Sequence, residues 1–318
     1  MSLPREKLAE TFARTGVTVR TDCTFSSLTT LRVGGEIKLT VRPQNKRQLV
    51  ACLRLLDKLG EQYIVVGNGS NILANDGFFD GVAVVTKDVN AVRIRGNVVT
   101  ADCGTNTAKI FASLVSSGLG DGEFLGCIPS TVGGAVRGNA GCFGQDVASV
   151  VQSVTAVTDN GRLCTLTAEE CAFSKRDSIF KRNGWTVLSA KMCFTPSTSQ
   201  SVRQKFAEMH AKKAATQPLG VPSAGSMLFH SRFSLSPMLD KLGFKGMRVG
   251  GAEVSKKHVG FVLNIDKATA EDIYYILRYE TNALWRAYGI AAQTEVTCVG
   301  FGRQIERGQN DIFTDGQE

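Results

Sequence analysis

The stretch from Gly118 to Gly144 constrains the fold more than any other part of this sequence, because it holds nine glycines in 27 residues. The segments EFLGCIP and NAGCFG interrupt the glycines, so the stretch is too apolar to be a linker. Ordering so much glycine costs backbone entropy, and folded proteins keep it where the chain needs positive φ angles or where a ligand lies against bare backbone. A set of tight turns is the alternative interpretation.

The chain is longer than one hydrophobic core usually organises. Its 318 residues exceed the roughly 250 to 300 residues at which single cores stop growing, which predicts two or three compact units. With 43% hydrophobic and 21% charged residues, the composition is that of an ordinary globular protein. No apolar run approaches the roughly 20 residues of a membrane helix, and no secretory signal is recognisable, so we expect a cytoplasmic location and no membrane partner.

The charge balance favours anionic partners. Lysine and arginine number 37 against 29 for aspartate and glutamate, a net charge of +8. The basic residues are scattered, without the runs or interleaved aromatic residues of nucleic-acid modules. We therefore expect nucleotides or nucleotide sugars as ligands rather than nucleic acid, and we expect a monomer.

The cysteines and histidines do not form a framework for disulfides or metals. The nine cysteines are odd in number and lie at least seven residues apart. The three histidines lack the short spacing of a metal-binding pair. The sequence therefore predicts neither a disulfide scaffold nor a metal site.

The first hundred residues predict alternating helix and strand. Leucines recur on one face of residues 46–59, and Gly60 then supplies the left-handed residue that ends a helix. A strand over residues 63–66 runs into the turn-rich segment GNGSN, residues 67–71, and a further strand is predicted over 82–86. This order is typical of a βαβ-like beginning.

Two antiparallel hairpins follow in the middle of the chain. Residues 92–101 alternate on both sides of Gly96-Asn97, a dipeptide that suits a type II′ turn. The sequence VTAVTDNGRLCTLT alternates around Asn160-Gly161, which tolerates two positive φ angles. The middle of the chain is therefore predicted to be α+β.

The last third predicts a unit of its own. The polar break at residues 196–200 precedes a helix predicted over 202–215. Thr269 and Asp272 form a capping signal for a long amphipathic helix that Gly289 ends, and a strand is predicted over 295–301.

The GNGSN segment does not complete a Rossmann fingerprint. Gly67 and Gly69 follow a strand, but the third glycine of GxGxxG would fall at Ile72. The segment still offers consecutive backbone N–H groups with Ser70 and Asn71, which favours a nest for a pyrophosphate.

Eight segments along the chain form one ordered set of motifs. They are TTLRVGG (29–35), VVGNGSNIL (65–73), EFLGCIPSTVGGAV (123–136), NAGCFG (139–144), SKRDSIFK (174–181), QPLGVPSAGS (217–226), KGMRVGGAEVSKKHVGFVLN (245–264) and the closing TEVTCVGF. Together they resemble a known family, the UDP-N-acetylenolpyruvoylglucosamine reductases, and the resemblance extends from residue 25 to residue 302.

The resemblance implies an α+β flavoenzyme with a two-subdomain FAD-binding fold of the vanillyl-alcohol-oxidase type and a C-terminal substrate-binding domain. The expected boundaries are 1–88 and 89–198 for the FAD-binding subdomains, 199–305 for the substrate domain and 306–318 for a loose tail. In such enzymes NADPH reduces FAD, hydride then passes to C3 of the enolpyruvyl group, and protonation at C2 yields UDP-N-acetylmuramate.

The resemblance also implies three catalytic residues. Arg176 matches the arginine that holds the substrate carboxylate and stabilises the enolate, a task suited to a planar bidentate group. Ser226 matches the proton donor, and Glu295 matches the carboxylate that completes the site. Sequence spacing alone does not bring these three residues together.

The matched motifs imply two further sets of residues. Cofactor-binding residues are Arg32, Gly67, Asn68, Gly69, Ser70, Asn71, Ile128, Pro129, Ser130, Gly133, Gly134, Asn139, Ala140, Gly141 and Arg248. Substrate-binding residues are Lys175, Gln217 and His230.

The chain departs from the family pattern at several positions. Lys175 replaces a tyrosine, residues 228–231 read LFHS in place of Phe-Lys-Asn-Pro, and Ser130 replaces a glycine. Arg137 and Gly138 stand where an apolar or aromatic residue and Met are usual. These departures keep open an FAD-dependent oxidoreductase with another substrate, or a flavin-binding relic without turnover.

Overall fold

A computed structural model describes residues 3–301, which contain both helices and strands throughout. The predicted loose tail, residues 306–318, lies outside the described residues. Among residues 3–301, no helix combines the length and apolar character that crossing a membrane requires. The α-helices are α1 Arg5–Ala13, α2 Phe25–Leu28, α3 Lys46–Leu59, α4 Thr107–Ser117, α5 Val132–Arg137, α6 Ile179–Arg182, α7 Ser199–Thr216, α8 Ser236–Lys241 and α9 Ala270–Tyr288.

The strands range from two to eight residues. They are β1 Thr18–Arg20, β2 Ile37–Arg42, β3 Tyr63–Val66, β4 Ile72–Ala74, β5 Phe79–Val85, β6 Val92–Arg95, β7 Val98–Asp102, β8 Leu119–Gly120, β9 Gly141–Cys142, β10 Gln145–Asp146, β11 Val151–Val157, β12 Leu163–Thr167, β13 Thr186–Cys193, β14 Thr195–Pro196, β15 Ser223–Ser226, β16 Leu228–Phe229, β17 Arg248–Val249, β18 Ala252–Val254, β19 Phe261–Asn264, β20 Gln293–Thr294 and β21 Thr297–Val299. Two 3₁₀ turns cover Glu123–Cys127 and Val147–Ser149.

The chain forms two compact units that interleave in sequence. The first unit comprises Met1–Asp22, Lys38–Asn68 and Asp80–Lys213. The second unit comprises Cys23–Ile37, Gly69–Phe79 and Ala214–Glu318. This interleaving has no counterpart in the predicted boundaries after residues 88 and 198, and those boundaries stay predictions.

The first unit contains two larger sheets and two two-stranded ones, which pair β8 with β14 and β9 with β10. A four-stranded sheet has the order β1-β2-β5-β3, and a five-stranded sheet has the order β12-β11-β13-β7-β6. Helix α3 connects β2 to β3: the Asn45 side chain caps its first turn, and Gly60 ends it at a φ of 64°. The predicted helix over 46–59 and strand over 63–66 are confirmed, while the predicted strand over 82–86 begins earlier, at Phe79.

Both predicted hairpins are present, but they turn differently. Arg95 pairs with Val98 around Gly96, whose φ of 59° fits the type II′ prediction. In the second hairpin Val157 pairs with Leu163, so the loop is longer than the dipeptide Asn160-Gly161. Only Gly161 of that pair has a positive φ, and its N–H donates to Thr158 O at 3.0 Å. A β-turn followed by one left-handed residue therefore replaces the predicted two-residue turn.

The second unit is organised around helix α9 and a four-stranded sheet of order β15-β19-β18-β17. Thr269 and Asp272 form the predicted capping box, which contributes about 1 kcal/mol to helix stability, and Gly289 ends the helix at a φ of 65°. Ile273, Ile276 and Leu277 are buried in the core of this unit. The prediction of this helix is confirmed, and its periodic apolar face explains why.

The predicted strand over 295–301 is wrong in its extent. The structure has a short strand, β21, that pairs in parallel with β4. Just before it, Glu295 N–H donates to Met227 O at 2.8 Å, whereas Thr297 N–H donates to Asn71 O at 2.9 Å. The chain thus changes its hydrogen-bonding neighbour within three residues, and a continuous strand cannot form there.

Helix α9 also buries a carboxyl group. Glu280 is 1% exposed, and its Oε1 has no hydrogen-bond partner within the described part of the chain. Burial disfavours the charged form and raises the pKa of Glu280 to about 8. The group is therefore protonated in the folded protein at neutral pH.

We predict that this carboxyl makes stability fall as pH rises. An unfolded chain releases the Glu280 proton near its ordinary pKa of 4.5, while the folded chain keeps it up to about pH 8, so stability declines across that window. Each pKa unit corresponds to about 1.4 kcal/mol, so the full effect reaches several kcal/mol at most. Urea unfolding from pH 4.5 to pH 8 measures the slope.

The variant Glu280→Gln should flatten this slope because the amide does not titrate. The exposed neighbour Glu271 on the same helix offers a matched control, and Glu271→Gln should leave the slope as it is in the unmodified protein. An identical pH profile for the protein and Glu280→Gln would contradict the prediction.

Candidate nucleotide-binding and catalytic site

In the first unit, the loop after β3 lies directly against the segment that leads into α5. The Asn68 side-chain amide donates to Pro129 O at 2.9 Å. A Cβ atom at Gly67 would lie only 2.3 Å from Thr131 Oγ1, a distance at which no side chain fits. Two segments that contain predicted cofactor-binding residues are thus in direct contact, and glycine at position 67 is required by that contact.

The start of α5 is itself fixed to the strand-to-helix turn that follows β7. Thr131 Oγ1 accepts from Gly134 N–H at 3.5 Å as the helix cap. Val132 N–H donates to Thr105 O, and Gly133 N–H donates to Cys103 O, each at 2.8 Å. A Cβ at Gly133 would lie 3.0 Å from the Cβ of Cys103. Close packing between chain segments therefore explains this glycine without reference to a ligand.

Asn139 organises the segment after α5. The residue is buried, and its backbone has a φ of 40°. Its side-chain Nδ2 donates to Asp146 Oδ2 and to Ser174 O, both at 3.0 Å. Its Oδ1 accepts from Ala148 N–H at 3.0 Å. Asn139 is predicted to bind the cofactor, and in this structure its side chain fixes the surrounding backbone.

Arg176 lies in a tight turn between Ser174 and Asp177. These two residues exchange both backbone hydrogen bonds at 3.1 Å, so Lys175 and Arg176 are the central residues of the turn. Arg176 has a φ of 60°, a conformation that costs a non-glycine residue energy and is often found at functional sites. Its Nη1 donates to Gly141 O at 3.3 Å, while Lys175 is exposed. The predicted catalytic arginine is therefore tied to a predicted cofactor-binding segment of the same unit.

Arg137, one of the departures from the family pattern, ends helix α5. Burial lowers the pKa of its guanidinium, and the charge of Asp177 opposes that shift. Its carbonyl oxygen accepts from Ser178 Oγ at 2.7 Å. The main chain at position 137 thus holds the segment that follows the Arg176 turn against the end of α5.

The GNGSN loop provides hydrogen-bond donors for an anion. Within residues 3–301, the backbone N–H groups of Asn68, Gly69, Ser70 and Asn71 donate to no other protein group. Consecutive N–H groups of this kind form an anion-binding concavity. The residues present therefore fit the diphosphate of a dinucleotide cofactor such as FAD.

In the second unit, the main chain of Met227 joins two predicted catalytic residues. Met227 follows Ser226, its N–H donates to Gly260 O at 2.9 Å, and its carbonyl accepts from Glu295 N–H at 2.8 Å. The Asn71 side chain donates to Glu295 O at 3.1 Å. Ser226, Glu295 and Asn71 are therefore on adjacent segments, an arrangement that sequence spacing did not predict.

His258 lies beside Ser226, and sequence reasoning missed it. A Cβ at Gly260 would lie 2.9 Å from Ser226 Oγ and 3.1 Å from His258 Cε1. His258 Nδ1 accepts from Gly260 N–H at 3.1 Å, which fixes the ring. Burial lowers the pKa of His258, so the imidazole is neutral at pH 7. The signal available in the sequence was its position two residues before Gly260 in the matched segment KKHVGF.

The remaining predicted residues of the second unit have varied surroundings. Arg32 is exposed at a φ of 57°, and Arg248 is exposed and pairs with the buried carboxylate of Glu253. Gln217 is half-buried. His230 stacks on Phe233, and its Nδ1 accepts the N–H groups of residues 232 and 233, each at 3.2 Å. The Nδ1 atom of His230 therefore already accepts hydrogen bonds from the backbone of its own loop.

The predicted catalytic residues are distributed over the two units. Arg176 belongs to the first unit, and Ser226 and Glu295 belong to the second. Among residues 3–301, no group of three or more His, Cys, Asp and Glu side chains is placed to hold a metal ion. The three-residue catalytic site and the sets of binding residues stay predictions.

Comparison with known proteins identifies the family. One family model, FAD binding domain, matches residues 37–167. A second, UDP-N-acetylenolpyruvoylglucosamine reductase, C-terminal domain, matches residues 217–299. A UDP-N-acetylenolpyruvoylglucosamine reductase of Thermotoga sp. (strain RQ2) is 32% identical over 301 residues, which cover 94% of this chain and 99% of that protein. The chain belongs to the UDP-N-acetylenolpyruvoylglucosamine reductase family.

Other family members are similarly related. The protein of that name from Streptococcus pneumoniae (strain ATCC 700669 / Spain 23F-1) is 32% identical over 312 residues, 98% of each chain. The crystal structure of UDP-N-acetylenolpyruvylglucosamine reductase from Thermus caldophilus has a TM-score of 0.76 at 24% identity and covers 89% of this chain and 98% of that chain. The predicted family and the α+β fold class, with an FAD-binding fold and a C-terminal domain, are confirmed.

We predict that Asn68→Ala weakens flavin binding. The substitution removes the 2.9 Å bond to Pro129 O that holds the GNGSN loop, a loss of about 1 kcal/mol that corresponds to a roughly fivefold rise in Kd. Fluorescence titration with FAD measures the Kd.

Asn90→Ala is the matched control, because Asn90 Nδ2 also donates to a backbone carbonyl, that of Lys87, at 2.9 Å in the first unit. Its flavin Kd should equal that of the unmodified protein. If Asn68→Ala and Asn90→Ala had the same flavin Kd, the contact between Asn68 and Pro129 would not contribute to flavin binding.

Proposed function

We propose that this chain is an FAD-containing oxidoreductase that reduces UDP-N-acetylenolpyruvoylglucosamine to UDP-N-acetylmuramate with NADPH, in peptidoglycan precursor synthesis. The observation that carries the proposal is the match to reductases of this name over nearly the whole chain, 94% in one relative and 98% in another. The FAD binding domain model supports the cofactor.

The first unit and the GNGSN loop supply the residues that would hold FAD. Bound FAD supplies two-electron chemistry, by accepting hydride from NADPH and passing it to the substrate. The N–H groups of residues 68–71 would bind its diphosphate, and residues 128–130 and 139–141 would line its site. Packing of Gly67 against Thr131 keeps the loop in place before any ligand binds.

The chain's own residues account for the remaining steps. Hydride addition next to a carboxylate develops negative charge on an enolate oxygen, which a fixed guanidinium stabilises. We assign this role to Arg176, whose strained turn and bond to Gly141 O orient it. Ser226 delivers the proton to C2, and Glu295 assists it from the neighbouring segment.

His258 is assigned a positioning role toward Ser226. Its ring and Ser226 Oγ border the same space beside Gly260, where a Cβ atom would lie 3.1 Å from His258 Cε1 and 2.9 Å from Ser226 Oγ. Because burial lowers its pKa, the ring carries no charge at neutral pH and does not compete with the cation that binds the substrate carboxylate. In this role the ring would limit the space open to the Ser226 hydroxyl on the side of Gly260.

A steady-state assay tests the proposal. The FAD-loaded protein should oxidise NADPH only when the enolpyruvyl nucleotide is supplied, and the product should gain two hydrogen atoms by mass. NADPH oxidation at the same rate with and without this nucleotide would favour an oxidoreductase with another substrate. The exposed Lys175, which replaces a tyrosine of the family pattern, is the residue that supports this alternative. Bound FAD without NADPH oxidation would indicate a flavin-binding relic.

We predict that Ser226→Ala separates the two half-reactions. NADPH should reduce the flavin at the rate of the unmodified protein, while reoxidation by the enolpyruvyl nucleotide should slow by about 10²- to 10⁴-fold, the usual contribution of a positioned proton donor. Rapid-mixing absorbance under anaerobic conditions measures both rates.

Ser223→Ala serves as the control for this experiment. Ser223 begins the same strand and is half-buried like Ser226. Its variant should keep both rates, and a Ser226→Ala protein that loses the two half-reactions equally would indicate a structural role only.

We predict that Arg176→Lys lowers kcat/KM by about 10- to 100-fold, because hydrogen bonds to charged groups are worth about 1.5 to 3 kcal/mol and an ammonium cannot copy the bidentate geometry. Both side chains occupy the same strained backbone, so the substitution isolates the head group. Arg182→Lys is the control, since Arg182 forms a partly exposed ion pair with Asp177. Unchanged kinetics for Arg176→Lys would remove this residue from the site.

The partners follow from the same proposal. A nucleotide-sugar substrate and NADPH are the small-molecule ligands. A cytoplasmic location, a monomeric state and the absence of a nucleic-acid partner are further parts of the proposal. Size-exclusion chromatography with light scattering tests the monomer.

A further inference from the structure

Two cysteines of the first unit face each other at the flanks of α5. Cys127 ends the 3₁₀ turn Glu123–Cys127, and Cys142 lies in β9. Cys142 Sγ lies 3.6 Å from Phe124 O, in the same 3₁₀ turn that Cys127 ends, and the two thiols interact with each other there. Sequence spacing could not reveal this pair, because 14 residues separate its members and the nine cysteines show no regular pattern.

The surroundings of the pair are electropositive. The Lys213 ammonium donates to Cys127 O, and its charge acts on both thiols. The charge of Arg176 also acts on Cys142, whose neighbour Gly141 accepts from that guanidinium at 3.3 Å. Cations beside a thiol favour its thiolate, which is the nucleophilic form.

The two thiols differ in the ways that a nucleophile and a resolving group require. The contact with Cys142 lowers the pKa of Cys127, and so does the charge of Lys213, whose ammonium donates to Cys127 O. The Cys142 thiol keeps its proton, because the contact with Cys127 and burial raise its pKa, and its Sγ can also donate to Phe124 O at 3.6 Å. By contrast, burial raises the pKa of Cys52, Cys103 and Cys298.

We propose that Cys127 and Cys142 are a thiol pair that reacts with hydroperoxides and closes to an intramolecular disulfide. The proposal stands on the contact of the two side chains in the first unit and does not depend on the proposed function. The two cysteines adjoin two predicted cofactor segments in sequence: Cys127 directly precedes residues 128–130, and Cys142 directly follows residues 139–141.

The chemistry balances in two steps. The Cys127 thiolate attacks one oxygen of the peroxide, so an S–O bond forms, the O–O bond breaks, and hydroxide leaves. Cys142 then attacks the Cys127 sulfur, so the S–S bond forms and the S–O bond breaks. The departing hydroxide takes up the Cys142 proton as water. The two thiols lose two electrons in total, and the peroxide gains them.

The disulfide would have a local consequence. A disulfide needs a sulfur separation of about 2.05 Å, so its formation draws β9 toward the 3₁₀ turn. Gly141, which precedes Cys142, would move with it, and Gly141 O is the acceptor for Arg176. The pair is thus linked through one residue to the turn that carries Arg176.

Disulfide mapping tests the proposal on the reduced full-length protein without NADPH. A few equivalents of hydrogen peroxide are added, aliquots are quenched with N-ethylmaleimide, and unreduced digests are analysed by mass spectrometry. The peptide linked through Cys127 and Cys142 should form about tenfold faster than Cys164 or Cys193 become oxidised, although these two cysteines are half-buried and Cys127 is buried. Oxidation of Cys164 or Cys193 at an equal or higher rate, or no linked peptide, would overturn the proposal.

Three variants assign the roles of the two cysteines. In Cys142→Ser the disulfide should be absent, and dimedone should trap Cys127 as a sulfenic acid. In Cys127→Ser, oxidation of Cys142 should slow by about tenfold. Cys164→Ser is the matched control and should form the disulfide at the original rate.

Sulfenic acid on Cys142 rather than on Cys127 would contradict the assigned order. Thermal unfolding shows whether each variant is folded. If a variant folds poorly, the disulfide mapping of the unmodified protein still tests the proposal.

Discussion

The contact between bare backbone and the start of helix α5 is the constraint on which the first unit depends. Gly67, at the end of the four-stranded sheet, lies against Thr131, and the Asn68 amide binds Pro129 O. The next residues of α5 bind Cys103 O and Thr105 O, which follow a strand of the five-stranded sheet. The start of α5 therefore contacts segments that follow strands of both the four-stranded and the five-stranded sheet. A side chain larger than glycine at position 67 or 133 would push these segments away from the helix.

This packing changes the interpretation of the glycine-rich stretch. A ligand against bare backbone and a set of tight turns were the two explanations that the sequence allowed. At Gly141 the structure favours a third, because a Cβ atom there would lie 2.2 Å from Gln145 O of the same unit, and at Gly133 a Cβ atom would be in tight contact with Cys103. Within residues 3–301, the N–H groups of residues 68–71 are donors that a dinucleotide could use.

The second unit has its own organising residue in Met227. Its N–H and carbonyl groups bind Gly260 and Glu295, so three distant segments of the sequence align at Ser226. His258 is fixed in the same place by its bond to Gly260 N–H. The main chain next to Ser226, the proposed proton donor, is therefore held by backbone hydrogen bonds, which are less sensitive to substitution than side-chain contacts.

Local sequence signals were sufficient to predict the bounds of helices that begin at a capping residue and end at a glycine. Helices α3 and α9 were predicted at their observed ends, because Gly60 and Gly289 take left-handed conformations there. The strand over 295–301 and the turn at Asn160-Gly161 were wrong in detail, since hydrogen bonds to distant residues and loop geometry decided them.

The site was predictable only in part, for a similar reason. Family resemblance named Ser226 and Glu295, but their adjacency depends on pairing with Met227, which no local pattern reveals. The interleaving of the two units and the positions of His258 and Cys142 likewise depend on contacts between segments far apart in sequence.

Anaerobic titration of the bound flavin tests whether this chain is an enolpyruvyl reductase. The FAD-loaded protein is first reduced by one equivalent of NADPH, and the enolpyruvyl nucleotide is then added while the visible flavin absorbance is recorded. NADPH should bleach this absorbance, and one equivalent of the nucleotide should restore it with formation of UDP-N-acetylmuramate. A flavin that stays reduced after the nucleotide is added would contradict the proposed reductase activity.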